Sequence, residues 1–426
     1  MGERLDTLGE RIKKLRKDKK LTQSELAGHR LTKGMLSLIE NGKAQPSMES
    51  LRFLAKQLDV EVSELLDDGT LAKLRELYTS IEEDIEKRSL MIDQDEILSL
   101  TINIIEKIEP FLPQIQGNNY EQVRLREVYF LMNRTMNKAK SLDEYWKFIN
   151  QYEAIHAYSR MLRCYFYLAF AAMEQRNYQE TLMILKQGEQ RIVQYELLID
   201  PIVRLDLYYN LTVAYSAVDN MEMSDQYLQK ALEIAKRKQI FYRMDSFYEL
   251  LFVLSIANKE HDKSALYIEK LKLLSNFADD VSIATTTAFC NLHYINNVTG
   301  QYTQVETLMA EYEKQLELVG SQHLLKNPKF SGERIFAHYF LGNYQQIIEC
   351  GKSLSIPNFV HHPIDLARYY RYFAVRALAY YHTKDFETAK RDIIYAKNGV
   401  EDFPDTIYKQ FVIDAYTEIL FDEKKV

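Results

Sequence analysis

A chain of 426 residues with 46% hydrophobic and 27% charged residues has an ordinary soluble composition but is too long for one compact core. Two or three domains, or one domain with a repeat array, are expected. The longest nearly unbroken apolar run, Cys164 to Met173, is about half of what a bilayer span requires. No basic-then-apolar leader opens the chain, and Asp6 occupies the Ser/Thr position of a myristoylation signal after Gly2, so a cytoplasmic protein with no membrane partner is expected. Cys164, Cys290 and Cys350 are far apart, odd in number and in no metal-ligand spacing, as befits reduced, buried thiols. The net charge of −7 is uneven: residues 1–58 hold thirteen Lys/Arg against seven Asp/Glu, or +6, which leaves −13 for the rest. A basic end on an acidic body is an electrostatic footprint for nucleic acid at that end alone.

In chain order, Leu8, Ile12 and Leu15 set an amphipathic helix over residues 8–19. Thr22-Gln23-Ser24-Glu25 is a capping box that opens a short second helix, ended near Ala27-Gly28 by a left-handed cap. Thr32 is the next N-cap, its helix running from Lys33 to Asn41 and closing at Gly42. Pro46-Ser47 restarts a helix with Leu51, Leu54, Ala55 and Leu58 facing inward, and Ser63 caps a last turn through Leu66. Short helices at this density, two of them across a tight turn, are the helix-turn-helix plan.

Leu21-Thr22-Gln23-x-Glu25-Leu26-Ala27, then Ser37-x-Ile39-Glu40-Asn41-Gly42-Lys43, then Pro46-Ser47, resemble the phage-repressor (Cro/C1, XRE) helix-turn-helix family over about sixty residues. The resemblance implies a structural bridge between Arg16 and Glu40 and binding to double-stranded DNA. Gln23, at the start of helix 2, and Asn41 and Lys43, leaving helix 3, are placed for phosphate contacts. Thr32, Lys33, Gly34 and Ser37 lie at the start of helix 3, where base edges are read; Lys33 can donate to guanine. The turn Gly28-His29-Arg30-Leu31 is about one residue shorter than the family's, which leaves the register of helix 3 open by one.

Beyond Asp67-Asp68-Gly69 the chain becomes acidic and rich in tyrosine, with a helix expected from Leu71 to about Arg88. With only 14 glycines and 8 prolines and no sustained alternation, the protein is expected to be all-α. Asn177-Tyr178, Gln301-Tyr302, Asn343-Tyr344 and Asp385-Phe386 each place an aromatic after a turn, with Thr181, Val305, Ile347 and Ala389 three residues later. Met221 with Ser224 and Asp262 with Ala265 fill the two units between, giving steps of 43, 41, 40, 42 and 42. This is a tetratricopeptide-like pattern with a period longer than the usual ~34 residues. The expected division is a helix-turn-helix domain over 1–68, helical linker and first repeat helices over 69–115, and repeats over 116–426 stacked as a right-handed superhelix with a concave groove.

Asn210 and Asn291 fall at one inner-helix phase, and an asparagine can bond a peptide backbone through both donor and acceptor. Arg126 and Asn133, seven apart on one helix face, are a further peptide-binding candidate. No phosphate-loop, zinc-protease, nucleophile-elbow or CxxC signature occurs, so no catalytic residue, metal or cofactor is assigned; His361-His362 reads as a loop.

A phage-repressor helix-turn-helix followed by such repeats resembles the peptide quorum-sensing regulators of Gram-positive bacteria, the Rap/NprR/PlcR/PrgX/Rgg group, and its NprR-like members most of all. The resemblance implies a re-imported signalling peptide in the repeat groove that changes self-association and operator binding. It also implies an alternative: stimulated dephosphorylation of a response regulator in a sporulation phosphorelay, for which Gln94 and Gln114 are candidates without a motif. A simple repressor dimerised by its repeats is the third reading.

Overall fold

Periodic apolar residues and frequent polar caps favour helices throughout, and the computed structural model is all-α, with no strand among the described residues. These are residues 8–421 apart from 45, 63–64, 66–69, 90, 92 and 138–140. The chain forms two units, residues 1–157 and 158–426.

The first unit opens with α1 (Leu8–Asp18), α2 (Gln23–Ala27), α3 (Lys33–Glu40) and α4 (Met48–Gln57). Thr22 makes the full capping box: its Oγ1 accepts from Glu25 N at 3.2 Å, and Glu25 accepts from Thr22 N at 2.6 Å. Gly28 ends α2 at φ +53° and ψ −138°, a glycine conformation outside the left-handed helical cap expected there. Thr32 Oγ1 accepts from Met35 N at 3.1 Å, so the register of α3 resolves with Lys33 as its first helical residue. Ile12, Leu26, Leu36, Ile39, Leu51, Leu54 and Leu58 close the core. Of the last turn expected from Ser63 to Leu66, only Leu65 is among the described residues here; it is fully buried.

Next come α5 (Thr70–Ser89), α6 (Gln94–Ile108), α7 (Tyr120–Thr135) and α8 (Asp143–Ala154). Leu74 and Ile81 of α5, Ile104 and Ile108 of α6, and Leu125 and Val128 of α7 form a second core. Arg124 of α7 reaches α5 through Glu82 at 2.6 Å. α7 thus packs on the helices that precede it, and its Phe130 meets Tyr145 and Phe148 of α8. Residues 116–157 therefore belong with the first unit, and the division falls at Ala157/Tyr158 rather than the expected 115/116.

The second unit stacks helices in sequential pairs: α9 (Tyr158–Glu174) with α10 (Tyr178–Ile192), α11 (Pro201–Ala217) with α12 (Met221–Lys238), and α13 (Met244–Ala257) with α14 (His261–Ala278). Then follow α15 (Val281–Tyr294) with α16 (Gln304–Leu318), α17 (Pro328–Phe340) with α18 (Tyr344–Cys350), α19 (Pro363–His382) with α20 (Phe386–Val400), and a closing α21 (Ile407–Phe421). Along most of the array, the first helix of a pair touches both its own partner and the first helix of the next pair, the packing of a helical-repeat array. The small buried positions are Thr181, Ser224, Ser264, Val305, Ile347 and Ala389. In the third unit the expected Asp262/Ala265 is one residue late: Ser264 is the buried residue, its hydroxyl bonded to His261 O at 2.8 Å. Glycine supplies close crossings elsewhere, since a Cβ at Gly332 would overlap the Tyr372 ring, and one at Gly399 the Tyr370 ring.

Two irregularities interrupt the array. A π-helical turn at Ile295–Thr299 carries Asn296 and Asn297 into a buried polar network. There His293 Nδ1 donates to Glu333 at 2.7 Å, Tyr408 OH donates to His293 Nε2 at 2.7 Å, and Tyr372 and Asn296 also donate to Glu333. Arg371 donates to Asn297 Oδ1 at 2.6 Å and lies 4.0 Å from the Phe336 ring centroid. The second irregularity is α18, cut to seven residues, after which the chain runs as a short 3₁₀ turn and loop to His362.

Candidate functional site

In the first unit, the sequence fixes the turn by burying a charge cluster behind it. Arg16 donates to Glu40 from Nε at 2.6 Å and Nη2 at 3.0 Å, and Arg16 Nη1 bonds Leu21 O at 2.8 Å. Gln23 Nε2 adds a third donor to Glu40 at 2.8 Å. Burial pushes the Glu40 carboxyl up, but Arg16 and Gln23 overcome it and hold it below the usual carboxylate range. α1, α2 and α3 are thereby locked together through one carboxylate.

What this lock presents outward is the start of α3. Thr32, Lys33 and Gly34 are exposed, Ser37 is half-buried, and Asn41 and Lys43 are exposed beyond its end. Asn41 Nδ2 donates to Ser37 O at 2.8 Å and Gly42 turns the chain at φ +67°. Gln23, placed by sequence for a phosphate contact, turns its amide inward to Glu40 instead. A Cβ at Gly34 would meet only Thr32 Oγ1, at 3.9 Å, so nothing inside the protein requires glycine.

The second unit holds a cavity of about 530 Å³. One wall is apolar: Ala169, Phe170 and Met173 of α9, Leu185 of α10 and Val213 of α11. Another is polar: Arg243 and Glu249, Lys329, and Asp365 and Arg368. The loop Phe359–His362 lines it too and is tied across it. Tyr178 OH donates to His361 O at 2.9 Å. His362 caps α19, its Nδ1 accepting from Ile364 N at 3.3 Å, so Nε2 carries the proton that meets Ser216 Oγ at 3.0 Å. Burial holds His362 below the ordinary histidine value, although Asp365 opposes it.

Asn210 lines this cavity, one amide N–H spent on Asp206 O at 2.8 Å. Asn291 does not: it lines a separate cavity of about 190 Å³ between α14, α15 and α16. The other pair is not brought there either. Arg126 donates to Ile115 O and, at 2.9 Å, to Gly117 O, pinning the loop before α7, and Asn133 Nδ2 donates to Tyr129 O at 2.9 Å within its own helix. Gln94 and Gln114 are exposed on the first unit. Sequence reasoning missed Arg243, Lys329, Arg368 and the His361-His362 loop as lining. The available signal was the irregular stretch from Gly351 to Pro363, which breaks the repeat and must go somewhere.

Four helices wrapped on one core, with a short α2, a tight turn and an exposed α3, define a helix-turn-helix. Residues 12–65 match the helix-turn-helix family, and this segment is a DNA-binding helix-turn-helix. A second family model, Csm2 Type III-A, matches residues 46–164, starting inside the helix-turn-helix and running past the boundary between the units. The Immunity repressor protein of Bacillus phage phi105 is 40% identical over 92 residues, which is 21% of this chain; the chain spans 64% of that relative's length. Among solved structures, Bacillus thuringiensis PlcR in complex with the peptide PapR7 and DNA is similar at 17% identity and a TM-score of 0.33, over 64% of this chain and 98% of that one. The apo competence regulator ComR of Streptococcus vestibularis is similar at 19% identity and a TM-score of 0.32, over 66% and 96%. No helix among the described residues is long and apolar enough to cross a membrane.

Proposed function

We propose that this chain is a cytoplasmic transcriptional regulator whose second unit binds a short signalling peptide and so controls how the first unit engages an operator. The observation that carries the reading is a cavity of about 530 Å³ in an all-helical repeat unit, on the same chain as a DNA-binding domain. That volume is in the range of sites for small ligands, and the lining mixes apolar side chains with a few polar ones, which suits a peptide's side chains and backbone together. In this reading Lys33 and Ser37 meet base edges, Lys43 meets phosphate, and a dimer sets two α3 helices about one turn of DNA apart. The peptide acts only through unequal affinity for two states of the protein.

A double-stranded site selected by the full chain from a random pool, labelled and titrated with and without pooled synthetic hexapeptides, tests this. A shift in DNA affinity or in oligomeric state on peptide addition is expected. Peptides that bind and change neither would overturn the regulatory link. Lys43→Ala should weaken all DNA sequences alike and lower the salt slope by about 1, whereas Lys33→Ala should relax preference at one position.

A further inference from the structure

Three helices turn their starts toward the cavity of the second unit: α13 through Arg243 and Ser246, α17 through Asn327 and Lys329, and α19 through His362 and Asp365. Helix starts carry partial positive charge. The lining cations, Arg243, Lys329 and Arg368, outnumber its acids, Glu249 and Asp365. Arg243 is committed elsewhere, to the buried Asp206 at 2.7 Å.

Lys329 and Arg368 are held differently. Both lie 4.6 Å from the centroid of the buried Phe289 ring. The Lys329 side chain is only 14% exposed, and its ion pair with Glu249 is long, 3.9 Å. Arg368 is 5% exposed; Nη2 donates to Asp365 at 3.0 Å, but Nε and Nη1 have no partner. Buried donors without acceptors are costly and uncommon, and they mark places where something else completes the set.

We propose that Lys329 and Arg368 form an anion subsite that takes a carboxylate of the bound peptide, while the Phe170, Met173 and Val213 wall takes an apolar side chain of the same ligand. This rests on the peptide reading of the second unit. A guanidinium accepts a carboxylate through two parallel N–H bonds, and an ammonium beside it adds a point charge. The incoming carboxylate takes the place of Asp365 on Arg368. The carboxylate is either the peptide's C-terminus or an Asp or Glu side chain; the chemistry is the same.

The full chain is incubated with four synthetic hexapeptide pools, with free or amidated C-termini and with or without Asp and Glu, and retained peptides are identified by mass spectrometry after gel filtration. Pools carrying a carboxylate should be retained at least about tenfold better than the amidated, acid-free pool. Which of the two single-carboxylate pools is enriched names the source. Lys329→Gln and Arg368→Gln should each abolish the preference; the lysine variant serves if the arginine variant does not fold, as judged by its thermal melt. Equal retention of the uncharged pool would overturn the anion subsite and leave the peptide reading standing. Retention of no pool would overturn both.

Discussion

Glu40 shows how much rests on single side chains. Its carboxylate accepts from Arg16 and Gln23, so removing it strands a buried guanidinium. Glu40→Ala should cost about 3–5 kcal/mol, measured by urea unfolding of the full chain, whereas replacing both Arg16 and Glu40 with methionine should cost less. A single loss within experimental error of zero would contradict this account of the lock. Gly34 carries the opposite expectation. Alanine there meets open space, so Gly34→Ala should stabilise α3 by about 1 kcal/mol while weakening DNA binding if the backbone approaches the groove. A more stable variant with unchanged DNA affinity would remove Gly34 from the interface. The Arg16–Glu40 pair was expected only through the family resemblance, which pairs an arginine of helix 1 with the glutamate of helix 3. The inward turn of Gln23 was not, because it depends on a partner 17 residues away that sequence periodicity does not orient. Lys329 and Arg368 escaped for the same reason: they share Phe289, on a third helix.

At the scale of elements, N-caps were read well because they are local. Thr22, Thr32 and Ser47 each accept from the backbone three residues on. The repeat period was legible too, but its phase slipped by one at His261/Ser264, where Asp262 is no aromatic and both Ser264 and Ala265 are small enough to be the buried position. Close helix crossings depend on what lies opposite, as at Gly332, whose missing side chain makes room for the Tyr372 ring. Gly332→Ala should therefore destabilise the second unit by about 1–3 kcal/mol through overpacking, read as a lower thermal midpoint. A Tyr372→Phe change on top would not relieve it, because the ring and not the hydroxyl fills the space.

At the scale of the molecule, burial holds His293, His338 and His362 below the ordinary histidine value. The unfolded chain takes up protons near pH 6.5 and the folded one does so only lower, so their stabilisation is present above that pH and is lost as pH falls through it. Glu333 extends the loss: burial raises its carboxyl, but His293 and Arg371 overcome that and hold it at about 2, against 4.5 when free. Its stabilisation is present above pH 4.5 and disappears toward pH 2. The thermal midpoint should hold from pH 8 to about pH 7 and fall from there to pH 5, with a shallower slope in His293→Gln; a midpoint that rises on acidification would contradict this. The boundary between units lay beyond sequence reading, because the short turn between Ala154 and Tyr158 is like the other turns between helices and composition does not change across it. The bonds from Tyr178 to His361 and from Ser216 to His362 join residues 183 and 146 positions apart. An open repeat array is a one-dimensional system that frays from its ends, each terminal unit melting on its own. Tying an early unit to a late one removes that freedom and makes the intervening repeats melt together. Amide hydrogens in α10 and α19 should then exchange at matching rates, and Tyr178→Phe should let the two regions diverge.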